Sequence, residues 1–360
     1  MIGAYIHIPF CRTLCPYCDF FSVDIAGAVP SGYVEAVCQE ILTFPRARAV
    51  STIFFGGGTP SLVEEAGLAR IVDALSHKFR IADDCEITIE ANPDDLTPEL
   101  AAAWKRVGIN RVSLGVQSFN DATLRYLGRR HDAATAARAC QLVANLFDNW
   151  GMDLMFGAKP VDAWADTLEQ CVELQPNHVS TYGLTYEPET PFAARAHEAV
   201  DDDTWLRLYR QAASRLFEYD HYEISNYALP GYPCRHNLIY WRNEEYGGFG
   251  AAAYSFIDGI RARNPADIER YAAQPGLKEE SYCLTEREIR VETLIQHFRL
   301  QSGIEKKEYR RRFGRDIRPE FGAPIDNLIA RGLLFEDAQH VAPTEPGFEL
   351  NNEIGLAIVG

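Results

Sequence analysis

AYIHIPFCRTLCPYCDF, residues 4–20, decides how the rest of the chain is read. Its first part, Ala4–Ile8, is apolar and β-prone, which predicts a strand. Cys11, Cys15 and Cys18 follow at once, spaced CxxxCxxC. A strand running straight into three thiols puts a candidate ligand set at a strand end. A closed structural zinc site takes four ligands, so here it would need a fourth, such as His7. An iron–sulfur cube takes one thiolate per iron, so three thiols leave one iron with an open position.

Working outward, five further strands are predicted: Ser51–Phe55, Glu86–Glu90, Arg111–Val116, Gly151–Phe156 and His178–Leu184. Helical patterns fill the gaps, over Tyr33–Thr43, Leu68–Lys78, Glu99–Val107, Ala133–Leu146 and Ala163–Leu174. Strands alternating with helices imply a parallel sheet. Six such units fit an α/β fold, a partial (β/α)6 barrel, or less well a doubly wound open sheet. Ligands in such folds bind at the C-terminal ends of the strands. Those ends carry Gly56 to Pro60 after the second strand, Glu90 to Pro93 after the third, Gln117 after the fourth and Asp153 near the end of the fifth.

Beyond about residue 190 the rhythm fades. Asp201 to Asp203 read as the solvated start of a helix over Thr204–Phe217, where acidic groups suit the helix dipole. The stretch 226–264 is rich in Pro, Gly and Asn and reads as loop-like. Glu286–Leu300 reads as an amphipathic helix opening a small α+β, winged-helix-like C-terminal domain. The expected division is a barrel core over 1–225, a loop region and linker over 226–284 and the C-terminal domain over 285–360.

The chain has 360 residues and a formal net charge of −16, which argues against nucleic acid as the main partner. No apolar run is long enough to span a bilayer, and residues 1–10 lack the basic start of a signal peptide. At most transient membrane contact and a cytoplasmic location are expected. Thiols stay reduced there, so clustered cysteines suggest metal rather than disulfides. The other six cysteines are scattered.

The CxxxCxxC spacing resembles the signature of the radical S-adenosylmethionine (SAM) superfamily. That resemblance implies a [4Fe–4S] cluster held by Cys11, Cys15 and Cys18, with SAM chelated to the open iron. It also implies one-electron cleavage of SAM to a 5′-deoxyadenosyl radical. Gly57, Gly58 and Thr59 match the superfamily's GGTP motif, which grips the methionine amino group. Glu90, Gln117, Arg129 and Asp153 can offer hydrogen bonds to the ribose, carboxylate and adenine of SAM. Tyr5 and Tyr17 are candidates to cover the adenine.

Longer stretches go further. FFGGGTPSL, EANPDDLT, RVSLGVQSF, LGRRHDAATA and YEISNYALPGYPCRHNLIYWR resemble the oxygen-independent coproporphyrinogen III oxidase family. The true oxidases carry a further cysteine two residues after the third cluster cysteine. Phe20 stands there in this chain. This points to the family's haem-chaperone branch, whose HNxxYW hallmark appears as His236, Asn237, Tyr240 and Trp241. The resemblance implies haem or another porphyrin bound near His236, and delivery to a haem-accepting respiratory protein. Arg235 and Arg242 are candidate propionate partners, and Cys234 a candidate second ligand. Relatives often carry a GPGAHS-like segment after HNxxYW, whereas this chain has Gly250, Ala251 to Ala253 and Tyr254. Two other readings stay open, a porphyrinogen-decarboxylating radical enzyme and a zinc-stabilised binding module. Monomer and dimer are equally compatible with the sequence.

Overall fold

A computed structural model describes residues 1–45 and 48–360. Strands β1 (Ile2–Ile8), β2 (Ala49–Gly57), β3 (Arg80–Ala91), β4 (Arg111–Gln117), β5 (Trp150–Phe156) and β6 (His178–Gly183) lie side by side in chain order. Each neighbouring pair is parallel. Helices α1 (Ser31–Thr43), α2 (Glu65–Lys78), α3 (Pro98–Val107), α4 (Ala133–Leu146) and α5 (Ala163–Leu174) lie in the successive connections. This is the expected partial barrel.

Alternation along the strands explains its two faces. Ile2, Ala4, Ile6 and Ile8 of β1 enter the main core, as do Ile53, Phe55, Ile87, Ile89, Val112, Leu114 and Val116 of the next strands. The intervening residues line the interior. They are largely polar: Tyr5 and His7, then Thr52, then Glu86 and Glu90, then Arg111, Ser113 and Gln117. A barrel interior of this kind is built to be filled or bridged, because buried polar groups need partners.

The acidic run acts as expected. Helix α6 (Asp202–Arg215) is capped by Asp201, whose carboxylate accepts the Thr204 N–H at 2.7 Å. Strands β7 (Asp220–Glu223) and β8 (Asn226–Ala228) extend the sheet antiparallel beyond β6.

Residues 226–264 correct the loop-like expectation. After β8 come helix α7 (Arg235–Trp241) and strands β9 (Tyr246–Phe249), β10 (Tyr254–Ile257) and β11 (Ile260–Arg263). Strand β9 pairs parallel with β1 on the barrel's other side. Strands β10, β11 and β12 (Glu280–Cys283) continue the sheet antiparallel. Elements of three to seven residues are too short to show a period, and their order comes from pairing and from buried Phe249 and Phe256. One local signal was present: Asp258 and Gly259 both have positive φ and close the β10–β11 hairpin, as an Asp-Gly pair favours.

The C-terminal part has its own core, centred on Leu294, Phe298, Ile325, Leu328 and Val341. Helix α8 (Glu286–His297) opens it with a capping box between Thr285 and Glu288. Then follow β13 (Ile304–Glu305), α9 (Lys306–Phe313), α10 (Arg318–Ala330), β14 (Leu334–Glu336) and β15 (His340–Pro343), with β15 central in a small sheet. Helix, strand, two helices and a hairpin is the order of a winged helix. Among the described residues no helix is long and apolar enough to cross a membrane.

Candidate cofactor site and the barrel floor

A cavity of about 440 Å³ opens at the C-terminal ends of the barrel strands. Cys11, Cys15, Cys18 and Tyr17 line it from the loop after β1, and Gly57, Gly58 and Thr59 from the end of β2. Glu90, Gln117, Arg129 and Asp153 line it from later units. The structure thus brings together all but one of the residues expected around the cluster and SAM. The exception is Tyr5. It sits deeper, with its hydroxyl 2.9 Å from His7 Nδ1 and its ring stacked on Phe54 at 6.2 Å.

The three thiols are free and partly exposed, whereas Cys38, Cys85, Cys140, Cys171 and Cys234 are buried. Among the described residues, no three His, Cys, Asp or Glu side chains converge on a point that one ion could fill. The thiols stand around the mouth instead, which suits a cube with one thiolate per iron better than a single zinc ion. Burial pushes the Cys11 thiol up and the Cys18 thiol up to about 11. Positive charge close by opposes this, as a bound metal centre would.

Arg129 supplies the charge on the protein side. Its guanidinium donates to Cys15 Sγ at 3.3 Å, to Asn92 Oδ1 at 2.6 Å and to the Gly115 carbonyl at 2.8 Å. Asn92 in turn donates to Thr59 Oγ1 at 3.2 Å, and Thr59 donates to Cys11 Sγ at 3.5 Å. A chain of donors therefore ties two cluster cysteines to the glycine-run segment. Asn92 was missed by sequence reasoning, although it follows Glu90 and Ala91 directly at the end of β3.

The glycine run has a reason beyond ligand approach. Gly57 has φ +110, and a Cβ there would come within 2.5 Å of the His7 ring. A Cβ on Gly58 would meet the Phe10 and Ile8 carbonyl oxygens at 2.8 and 2.9 Å. Two observations show that the cavity suits a polar ligand. Gln117 takes a left-handed backbone, φ +65, at the end of β4, and its buried Oε1 has no hydrogen-bond partner. Burial, reinforced by the charge of Asp153, pushes the Glu90 carboxyl up to about 8, against the pull of the Gly57 N–H. A protonated carboxyl can donate to an acceptor such as a ribose oxygen, which a carboxylate cannot.

The HNxxYW residues lie at the opposite end. Helix α7 closes the barrel floor. His236 is only 1% exposed. Its Nδ1 is 2.7 Å from Thr52 Oγ1 and its Nε2 2.9 Å from Tyr240 Oη. Its ring stacks on Phe54 at 5.1 Å. Burial, then the nearby Arg111 charge, pushes its imidazole down to about 3, so it is neutral. Glu86 of β3 caps the helix, accepting from the N–H groups of Arg235 at 3.2 Å and His236 at 3.1 Å. Cys234 is buried beside it, with Sγ 3.9 Å from Glu86 Oε1. Trp241 lies under the Arg299 guanidinium at 4.5 Å. Arg235 pairs with Asp84, while Arg242 projects toward the C-terminal domain.

A partial parallel barrel with thiols and a Gly-Thr-Pro turn at its mouth is the architecture of a radical SAM protein. The Radical SAM superfamily pattern matches residues 5–174, and that of the HemN C-terminal domain matches residues 284–350. The solved structure of coproporphyrinogen III oxidase (HemN) from Escherichia coli has this fold, with a TM-score of 0.84 at 22% identity, covering 99% of this chain and 89% of that one. Proteins named "Heme chaperone HemW" are similar along three quarters of the chain or more. The one from Escherichia coli is 36% identical, covering 96% of this chain and 95% of its own. That from Lactococcus lactis is 33% identical, covering 98% and 96%. That from Synechocystis is 42% identical, covering 75% and 69%. The chain belongs to the HemW family.

Proposed function

We propose that this protein is a haem carrier built on a radical SAM scaffold. It binds a [4Fe–4S] cluster through Cys11, Cys15 and Cys18, takes SAM in the mouth cavity, and binds haem for transfer to a haem-accepting protein. The observation that favours a carrier over a porphyrinogen-decarboxylating enzyme is at the mouth. Phe20, which stands where the oxidases carry a further cysteine, lines the cavity and is 64% exposed. It offers an apolar face there and no thiol.

When bound, the cluster would supply one electron to SAM. The chain's own residues do the rest. Arg129 holds Cys15 and fixes Asn92, and Asn92 orients Thr59. Glu90 presents a proton inside the cavity. The closed floor under α7 keeps solvent from reaching the interior from below, as radical chemistry requires. Relatives named as heme chaperones, aligned over almost the full length, support the haem reading. The test is a haemin titration of the anaerobically reconstituted protein. A saturable Soret shift is expected, and an unchanged haemin spectrum contradicts the proposal.

A further inference from the structure

The six parallel strands do not close into a ring, since β1 lies between β2 and β9, and β6 between β5 and β8. At the mouth, the chain that follows β6 nevertheless meets the loop that follows β1. Thr190 leads into a 3-10 helix, Pro191–Glu198. From it the Phe192 N–H donates to the Pro16 carbonyl at 3.0 Å. Pro16 and Tyr17 are the two residues between Cys15 and Cys18. The last parallel unit of the barrel thus grips the cysteine loop of the first.

Phe192 is buried in a small core of its own with Leu127, Ala158 and Leu184, apart from the two large ones. The Tyr17 ring meets it edge-on, with centroids 6.1 Å apart. Behind it, Tyr126 packs edge-on at 5.5 Å and Tyr186 stacks at 5.8 Å, and the hydroxyls of those two tyrosines are 2.8 Å apart. The Arg195 guanidinium covers Tyr126 at 4.1 Å and Phe192 at 4.9 Å. Glu198 accepts from that guanidinium at 2.8 and 3.1 Å, which holds it over the rings. Rings packed at these angles fix one another's tilt. Pro16 is also confined by Gly128, where a Cβ would come within 2.8 Å of its ring.

Each thiol then has its own support. Cys11 lies in a short parallel pairing of Phe10–Cys11 with Val23–Asp24 and accepts from Thr59. Cys15 accepts from Arg129. The turn from Cys15 to Cys18 is closed by the Cys18 N–H, which donates to the Cys15 carbonyl at 3.1 Å, and Phe192 stands behind that turn. Groups behind the ligands orient them and tune the metal centre. The potential of an iron–sulfur cluster also follows its exposure to solvent.

We propose that Phe192 is a positioning residue for the cluster. By holding Pro16 and Tyr17 it fixes Cys18 relative to Cys15, and with Arg195 above it the aromatic group keeps water from that side of the cluster. Phe192 acts through Pro16 and Tyr17 and not on a thiol. The inference rests on the cluster reading above.

The test uses the anaerobically reconstituted full-length protein and reads the rate of iron loss to a chelator and the cluster's reduction potential. Phe192→Ala should still take up iron and sulfide, lose iron about fivefold faster or more, and move the potential positive, because added solvent favours the more charged reduced state. Phe192→Leu, which keeps the bulk, should stay close to wild type. Arg195→Ala, at the surface, should shift both readings in the same direction by a smaller amount, and it keeps the test open if Phe192→Ala does not fold. Phe321→Ala, in the core of the C-terminal domain, is the control for mere destabilisation and should lower Tm without moving either reading. If Phe192→Ala and Arg195→Ala match wild type, or if Phe321→Ala moves the readings as much, Phe192 has no positioning role while the cluster reading stands. If wild type takes up no iron and sulfide, the cluster reading itself falls, and this inference with it.

Discussion

The Glu86 carboxylate, in the barrel interior, accepts the backbone N–H of His236 at 3.1 Å and so holds the floor helix against the sheet. The same carboxylate takes the Arg235 N–H at 3.2 Å and carries a charge near the buried Arg111. Replacing it leaves two amides and a guanidinium without their anion in a site closed to water. Glu86→Ala should therefore cost about 2–4 kcal/mol of stability, as for a buried charged hydrogen-bond acceptor. The urea midpoint of the cofactor-free protein measures it, and a loss under about 0.5 kcal/mol would mean the floor is held otherwise.

Cysteine replacement should separate the three-plus-six division. Cys11→Ser, Cys15→Ser and Cys18→Ser should each lose most of the iron and acid-labile sulfide after anaerobic reconstitution. Cys283→Ser, at an exposed position away from the cavity, should keep both. Zinc at one equivalent without iron in the wild type would instead favour a zinc module.

Glu90 makes stability depend on pH with a definite sign. Its folded carboxyl is raised to about 8, so the folded protein holds a proton that the unfolded chain loses above the ordinary value of 4.5. Stability from this group is highest at low pH and falls as pH rises from about 4.5 to about 8. Glu90→Gln removes that cost. The gain in Tm should be small at pH 5, grow toward pH 8 and level off above it. A pH-independent gain would show that Glu90 is already ionised in the folded state.

Arg129→Met should leave the fold intact while breaking the links to Cys15 and Asn92. SAM affinity, read by calorimetry on reconstituted protein, should fall about tenfold or more, equivalent to roughly 1.4 kcal/mol. Unchanged affinity would remove Arg129 from the positioning network.

What could be read from the sequence follows the range of the interactions involved. The six parallel strands, the thiols after β1 and the Gly57–Thr59 turn are local patterns, and they were legible. Asn92 could have been found from its place directly after a polar strand end. Tyr5 was expected beside the adenine, but strand alternation turns it inward against Phe54 and His7, one layer below the mouth. Strands β9 to β11 are four residues each, and pairing of β9 with β1, then of β10 with β9 and β11 with β10, rather than periodicity makes them. His236 read as a loop residue because nothing near it in sequence shows Glu86 or Thr52 closing over it.

In the proposed carrier the cluster and SAM share the mouth, and haem is held independently of them. The most direct test is haemin binding to the Cys11/Cys15/Cys18 triple serine variant beside wild type. The variant should lack iron–sulfur absorbance yet take up one haem per chain with wild-type affinity. A variant that folds but no longer binds haem would show that the cargo depends on the cluster site, and would contradict that independence.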